Sequence, residues 1–369
     1  MGKTMFGKTQ DQKVAENGVA VQVGESADGV NVTQTNNTQN VGTQTNHYGV
    51  TVEQVRAIAT DAFKADFYQL LGMAGDVATA RAQKLCDDYL ARIEKENAAA
   101  LNQANNPDFR YALLTAQKAY ARDGDQDLQK LLVELLVQRS RQQARNLEQI
   151  VLNEALEVAS RITQEQLSAL TICFVMRRVA SATIHDFNEF LNFIDEHIQP
   201  YIANAKLSAT SYSHLEYAGC GAIEMAEVSL ADAFLQKYNG LWQKGFPPDD
   251  EVIASLNAQA FQLIRPSAHV PGWCEVVDAS TEITKLLRHR LAPDGEQREK
   301  IESLLSRPRL THNEIKERCI HSRPYMETLF DFWDNTNAKH FIPSSVGIAI
   351  AHANIQRTTK LGPLSIWVN

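Results

Sequence analysis

Residues 46–70 read NHYGVTVEQVRAIATDAFKADFYQL, and within them the spacing of the apolar residues changes. Val52, Val55, Ile58, Ala59, Ala62, Phe63, Phe67 and Leu70 recur three and four residues apart, the stripe of an amphipathic α-helix. Thr51-Val52-Glu53-Gln54 opens that helix as a capping box, with the Thr51 hydroxyl accepting from the Gln54 amide and the Gln54 side chain reaching back. Just upstream the period is two. The switch takes about five residues and places a module boundary near residue 49.

Working outward from that boundary, the preceding stretch Asn17–Asn46 is NGVAVQVGESADGVNVTQTNNTQNVGTQTN. Val19, Val21 and Val23 alternate, as do Val30 and Val32, and glycines interrupt them at turn-like intervals. Lys13 and Arg56 have no basic residue between them, and Asn36, Asn37, Gln39 and Val41 stand in a run dominated by amides and threonine. One copy holds too few apolar groups for a core. Stacked copies would pair valine rows and build amide ladders. A solvated linker has similar composition but rarely alternating valines, so residues 1–49 are expected to form a β, polar oligomerisation tract, with the nine residues named above at its contacts.

Beyond the boundary the pattern is helical. Asn106-Pro107 starts a helix, Gly124-Asp125 forms the tight turn of a helical hairpin, and Thr163-Gln164-Glu165-Gln166 is a second capping box. The stretches 147–158, 167–179 and 183–198 continue the series, the last with Phe187, Phe190 and Phe193. Residues 50–200 are therefore expected to be an antiparallel helical array. Residues 201–369 read as a second mainly helical domain with less regular spacing and a third capping box, Thr311-His312-Asn313-Glu314. In it the bend at Gly219-Cys220-Gly221 leads into an apolar stripe from Ala222 to Leu230, and a helix is expected from Asp278 through Leu291. Residues 344–357 form its most apolar helix, and Leu364-Ser365-Ile366-Trp367-Val368 reads as a terminal strand. Two helices and such a strand suggest a small winged-helix-like C-terminal part.

The 369 residues carry a net charge of −8, 44% hydrophobic and 22% charged residues, which suits a folded chain and argues against general nucleic-acid binding. Arg139, Arg141 and Arg145 are read as a solvated helix face. The five cysteines are odd in number and widely spread, so no disulfide framework is expected. The first residues lack the apolar run of a signal peptide, and no apolar stretch approaches the ~18 residues of a membrane span. A cytoplasmic protein that does not enter membranes is expected.

For chemistry, Cys220 lies in a glycine-flanked bend with His214 and Glu216 nearby, the elements of an activated thiol. The same Gly-Cys-Gly also suits close backbone packing, with Cys220 as a small hydrophobe. His269, Cys274, Cys319 and His321 offer metal-ligand types, but neither local spacing is a chelating pair. No metal and no cofactor is expected.

Several stretches together, namely the Asn/Gln/Val-rich tract, Ala62–Tyr68 as AFKADFY, His214–Cys220 as HLEYAGC, and Ser345–Asn354 as SVGIAIAHAN followed by SIWV, resemble an uncharacterised family of bacterial cytosolic proteins. The resemblance implies no reaction. Similar polar tracts precede effector regions in some bacterial defence proteins, an analogy pointing to antiphage or stress defence. The expectation is a mainly α protein: a homo-oligomeric helical scaffold or sensor that meets a protein partner. The alternatives are a hydrolase or nuclease-like effector using His214, Glu216 and Cys220, and a nucleic-acid sensor using the Arg139–Arg145 face.

Overall fold

The computed structural model describes residues 50–67, 73–205, 208–277, 289–291 and 295–368. The expected oligomerisation tract lies outside the described residues, as does most of the helix expected between Asp278 and Leu291. The compact body begins at Gly49. Its helices are α1 (Val52–Phe67), α2 (Met73–Asn97), α3 (Pro107–Asp123), α4 (Gln126–Ser140), α5 (Leu147–Val158), α6 (Gln164–Arg178), α7 (Phe187–His197), α8 (Gln199–Ile202), α9 (Ala209–Tyr217), α10 (Leu230–Lys237), α11 (Glu251–Ala254), α12 (Gly295–Leu305), α13 (His312–Ser322), α14 (Met326–Asp334) and α15 (Ser345–Gln356). The body is mainly helical.

Local chemistry sets the helix ends where the sequence places them. The three capping boxes form, with Thr51 and Gln54 exchanging bonds of 2.9 and 3.2 Å. Asn106 caps α3 with Pro107 inside its first turn. Gly124 turns the α3–α4 hairpin at φ +82°, and Asp125 then caps α4. Helix α2 starts earlier than its sequence suggests and takes Gly75 into its first turn.

Two helices lie at the centre. In α6 every residue from Gln166 to Met176 is buried, and in α15 every residue from Val346 to Ile355. A helix apolar all round must be covered all round, and α15 packs on α4, α5 and α6. Thr171 and Asn354, polar residues in this pair, satisfy each other at 3.0 Å. Residues on both sides of position 200 enter one apolar core, from Val55 to Val368. A smaller core of Phe246, Ile253, Leu263, Val276 and Ile301 lies between residues 246–276 and α12.

The strands are short. β1 (Gly221–Ile223) pairs antiparallel with β4 (Phe341–Pro343), and β2 (Ile264–Pro266) with β3 (Cys274–Val276). Part of the apolar stripe after Cys220 is therefore β1, with α10 starting only at Leu230. The expected terminal strand is corrected: Leu364–Ile366 is a 3-10 turn entered from Pro363. Leu364 and Val368 are buried while Ile366 is 59% exposed, a helical rather than alternating pattern, so the winged-helix suggestion loses its strand. Arg139 is also corrected: it is fully buried, hydrogen-bonded to Asn153 and Asp108, and Arg141 pairs with Glu96 at 3.1 Å. Arg141 and Arg145 stay exposed, so the expected face loses only its first arginine.

Candidate functional site

The described residues form a cleft of about 750 Å³. Its parts come from three separated segments: the loop after α6, one face of α7, and the C-terminal strap 360–367. Helix α7 buries Phe187, Phe190, Leu191 and Ile194, so Glu189, Asn192, Phe193 and Glu196, three and four apart on the other side, fall to the cleft, with His197, itself buried, at its edge. Phe193 and His197 stack there at 4.6 Å.

The loop is held from behind by α10 and the residue that follows it. Lys237 Nζ donates to the carbonyls of Val175 and Val179 at 2.6 and 2.7 Å, capping the C-terminal end of α6. The Ser181 amide donates to the Tyr238 hydroxyl at 3.0 Å. Burial, with Arg177 adding to it, pushes the Lys237 ammonium down to about 7.

The strap is held by side chains from α15. Gln356 donates to the Leu361 carbonyl at 2.9 Å, and His352 Nε2 lies 2.9 Å from the Gly362 carbonyl. Burial holds the His352 imidazole below its ordinary range, while the Gly362 carbonyl and Glu134 act the other way. Trp367 completes the closure, its indole N–H donating to the Arg178 carbonyl at 2.9 Å and its ring set edge-on to Phe174 at 5.2 Å. The cleft thus joins Arg178 and Lys360 with Glu189 and Glu196, the Ser181 and Thr183 hydroxyls, and the rings of Phe193 and Trp367. Such a lining can hold a small ligand or peptide end that carries both charge signs beside a flat apolar part.

The sequence-derived thiol arrangement is placed differently. Cys220 is fully buried, and burial pushes its thiol up to about 12, the reverse of nucleophile activation. His214 is exposed and turns its ring to the Gln166 amide at 3.0 Å. Glu216 is exposed and accepts from the Ile223 amide at 3.1 Å. No hydrogen bond joins the three. His269 contacts the Leu241 carbonyl at 2.5 Å, and among the described residues no group of three or more His, Cys, Asp or Glu could hold a metal. No helix among them is long and apolar enough to cross a membrane.

The cleft residues Arg178, Asn192, His197, Lys360 and Trp367 escape sequence reasoning. The polar stripe on α7 is their one signal, and a solvated helix face looks the same.

Fold and cleft define a class: a helical body with a preformed cleft lined by polar and apolar groups. A protein-family model described as ":-like" matches residues 49–368, and the chain belongs to that family. The description names no reaction, ligand or partner. No curated protein and no solved structure matches the chain.

Proposed function

We propose that this chain is a self-assembling helical scaffold or sensor, in which copies joined through residues 1–48 present the 49–368 body and its cleft to a partner or ligand. The observation that carries the reading is a coincidence of boundaries. The change from alternating valines to helical spacing, the start of the compact body and the start of the family match all fall within a few residues of position 49. The tract lies outside the family match, and its valine and amide pattern suits pairing with the same segment of another copy. The cytoplasm of a bacterium, and antiphage or stress defence, are the setting that the resemblance suggests.

Mass measurement of the intact particle tests this. The full chain is expected to form a homo-oligomer, and a chain starting at Gly49 to run as a folded monomer. Replacing Val21 and Val32 with lysine in the full chain should also reduce the particle to monomers. An unchanged mass in both variants, or a monomeric full chain, would end the proposal.

A further inference from the structure

A second concavity lies away from the cleft, between α3 and the end of α5. It is an open groove of about 630 Å³. On α3, Tyr111, Leu114, Lys118 and Arg122 follow one another at spacings of three and four, so they form one stripe along the groove. Arg161 closes its end from the short turn after α5, and Glu157 is its one acidic lining residue. Tyr111 is 63% exposed in mid-helix, a large ring left in water where its neighbours Ala112 and Leu113 are buried. Arg122 and Arg161 are exposed and make no ion pair among the described residues.

Charge decides what would settle here. The chain as a whole carries −8, yet this groove exposes Arg122 and Arg161, neither in an ion pair among the described residues, beside the single acid Glu157. A ring and arginines around an apolar strip are the composition of an interface centre, and a groove between two helices accepts a third. We propose that this groove docks an acidic amphipathic helix of another protein, its apolar face on Tyr111 and Leu114 and its carboxylates on Arg122 and Arg161. The surface is distinct from the cleft.

The test uses the full chain and a fluorescein-labelled synthetic helix of leucine and glutamate, with leucine along one face, followed by anisotropy. A twin peptide with glutamine for glutamate, duplex DNA and anionic phospholipid vesicles are run beside it. Saturable binding of the glutamate peptide is expected, weakening with salt and falling by about tenfold or more in Arg122→Glu/Arg161→Glu and in Tyr111→Ala. Because these side chains are exposed, thermal melts of the variants should match the parent. Absence of saturable binding, equal binding of the glutamine twin, or indifference to charge reversal would overturn the proposal. So would charge-sensitive binding of DNA or vesicles with no peptide binding, which would assign the groove to phosphate. Particle mass, measured on the same variants, reports on self-assembly separately.

Discussion

A methyl group built on Gly347 would stand 1.9 Å from the carbonyl oxygen of Cys220. The two stretches that the sequence singles out, HLEYAGC and SVGIAIAHAN, therefore meet at a single junction. The Cys220 carbonyl accepts from the Ser344 amide at 3.0 Å, and the Ser344 hydroxyl donates to the Gly219 carbonyl at 2.6 Å. Gly219 takes φ +80° to make the bend, and β1 then pairs with β4 just before α15. The bend and the first turn of the central helix are fastened to each other.

Gly347→Ala should accordingly be among the most damaging small substitutions in the chain. Its methyl meets backbone, which cannot swing aside as a side chain can, so α15 must shift within a packed core. A loss of roughly 1–3 kcal/mol or more is expected, seen as a lower denaturant midpoint with an unchanged slope. Ser344→Ala removes the cap bond to the Gly347 amide and the tie to Gly219, and should cost about 1 kcal/mol.

Cysteine chemistry follows burial. Cys86, Cys173, Cys220 and Cys319 are buried, and burial pushes each thiol up to about 12, whereas Cys274 is half-buried. In the native protein a thiol reagent should modify Cys274 first, with the other four reacting only on unfolding. Mass mapping after a short alkylation checks this. Rapid labelling of Cys220 in the folded chain would restore the case for an activated thiol.

Lys237 gives stability a pH dependence of definite sign. Its folded pKa, about 7, is below the ordinary 10.5, so between those values the unfolded chain binds more protons. From this group, stability rises with pH across that window, and the burden of the charged form is fully present below about 7. The carbonyls of Val175 and Val179 still need a donor, which the neutral amine retains. Lys237→Met should abolish this slope in urea midpoints measured from pH 7 to 10. It should also loosen residues 179–181 in hydrogen exchange, because the Val179 carbonyl loses the Lys237 donor and the Val175 carbonyl keeps only the Val179 amide.

Sequence reading succeeds here where structure is decided within a few residues. The exchanged bonds of Thr163 and Gln166, the left-handed Gly124 before Asp125, and Pro107 behind Asn106 are local arrangements, and each carries its own signature. It fails where distant segments decide. β1 and β4 pair although more than one hundred residues separate them in the sequence, and Cys220 looks reactive only until α15 covers it. Leu364, Ile366 and Val368 alternate like a strand, yet the strap finds no strand to pair with and winds instead, burying the first and last. The cleft shares that difficulty, since its loop, floor and strap carry no common motif and become one site only after α15 positions the strap.

That dependence gives the last expectation. The strap reaches the body through Trp367 to the Arg178 carbonyl and through His352 and Gln356 to the carbonyls of Gly362 and Leu361. Trp367→Phe keeps a ring against Phe174 and removes the indole donor. Its global cost should be about 1 kcal/mol, the net value of one hydrogen bond. Locally the change should be larger: amides of residues 361–368 should lose protection from exchange while those of α6 and α15 keep theirs, because a short segment held by few bonds opens without unfolding the core. Gln356→Ala should loosen the same residues by removing the second tie, and the two together should exceed either alone. If the exchange of the strap stays unchanged in both variants, packing of the buried Leu364 and Val368 holds it, and the cleft's wall does not depend on these hydrogen bonds.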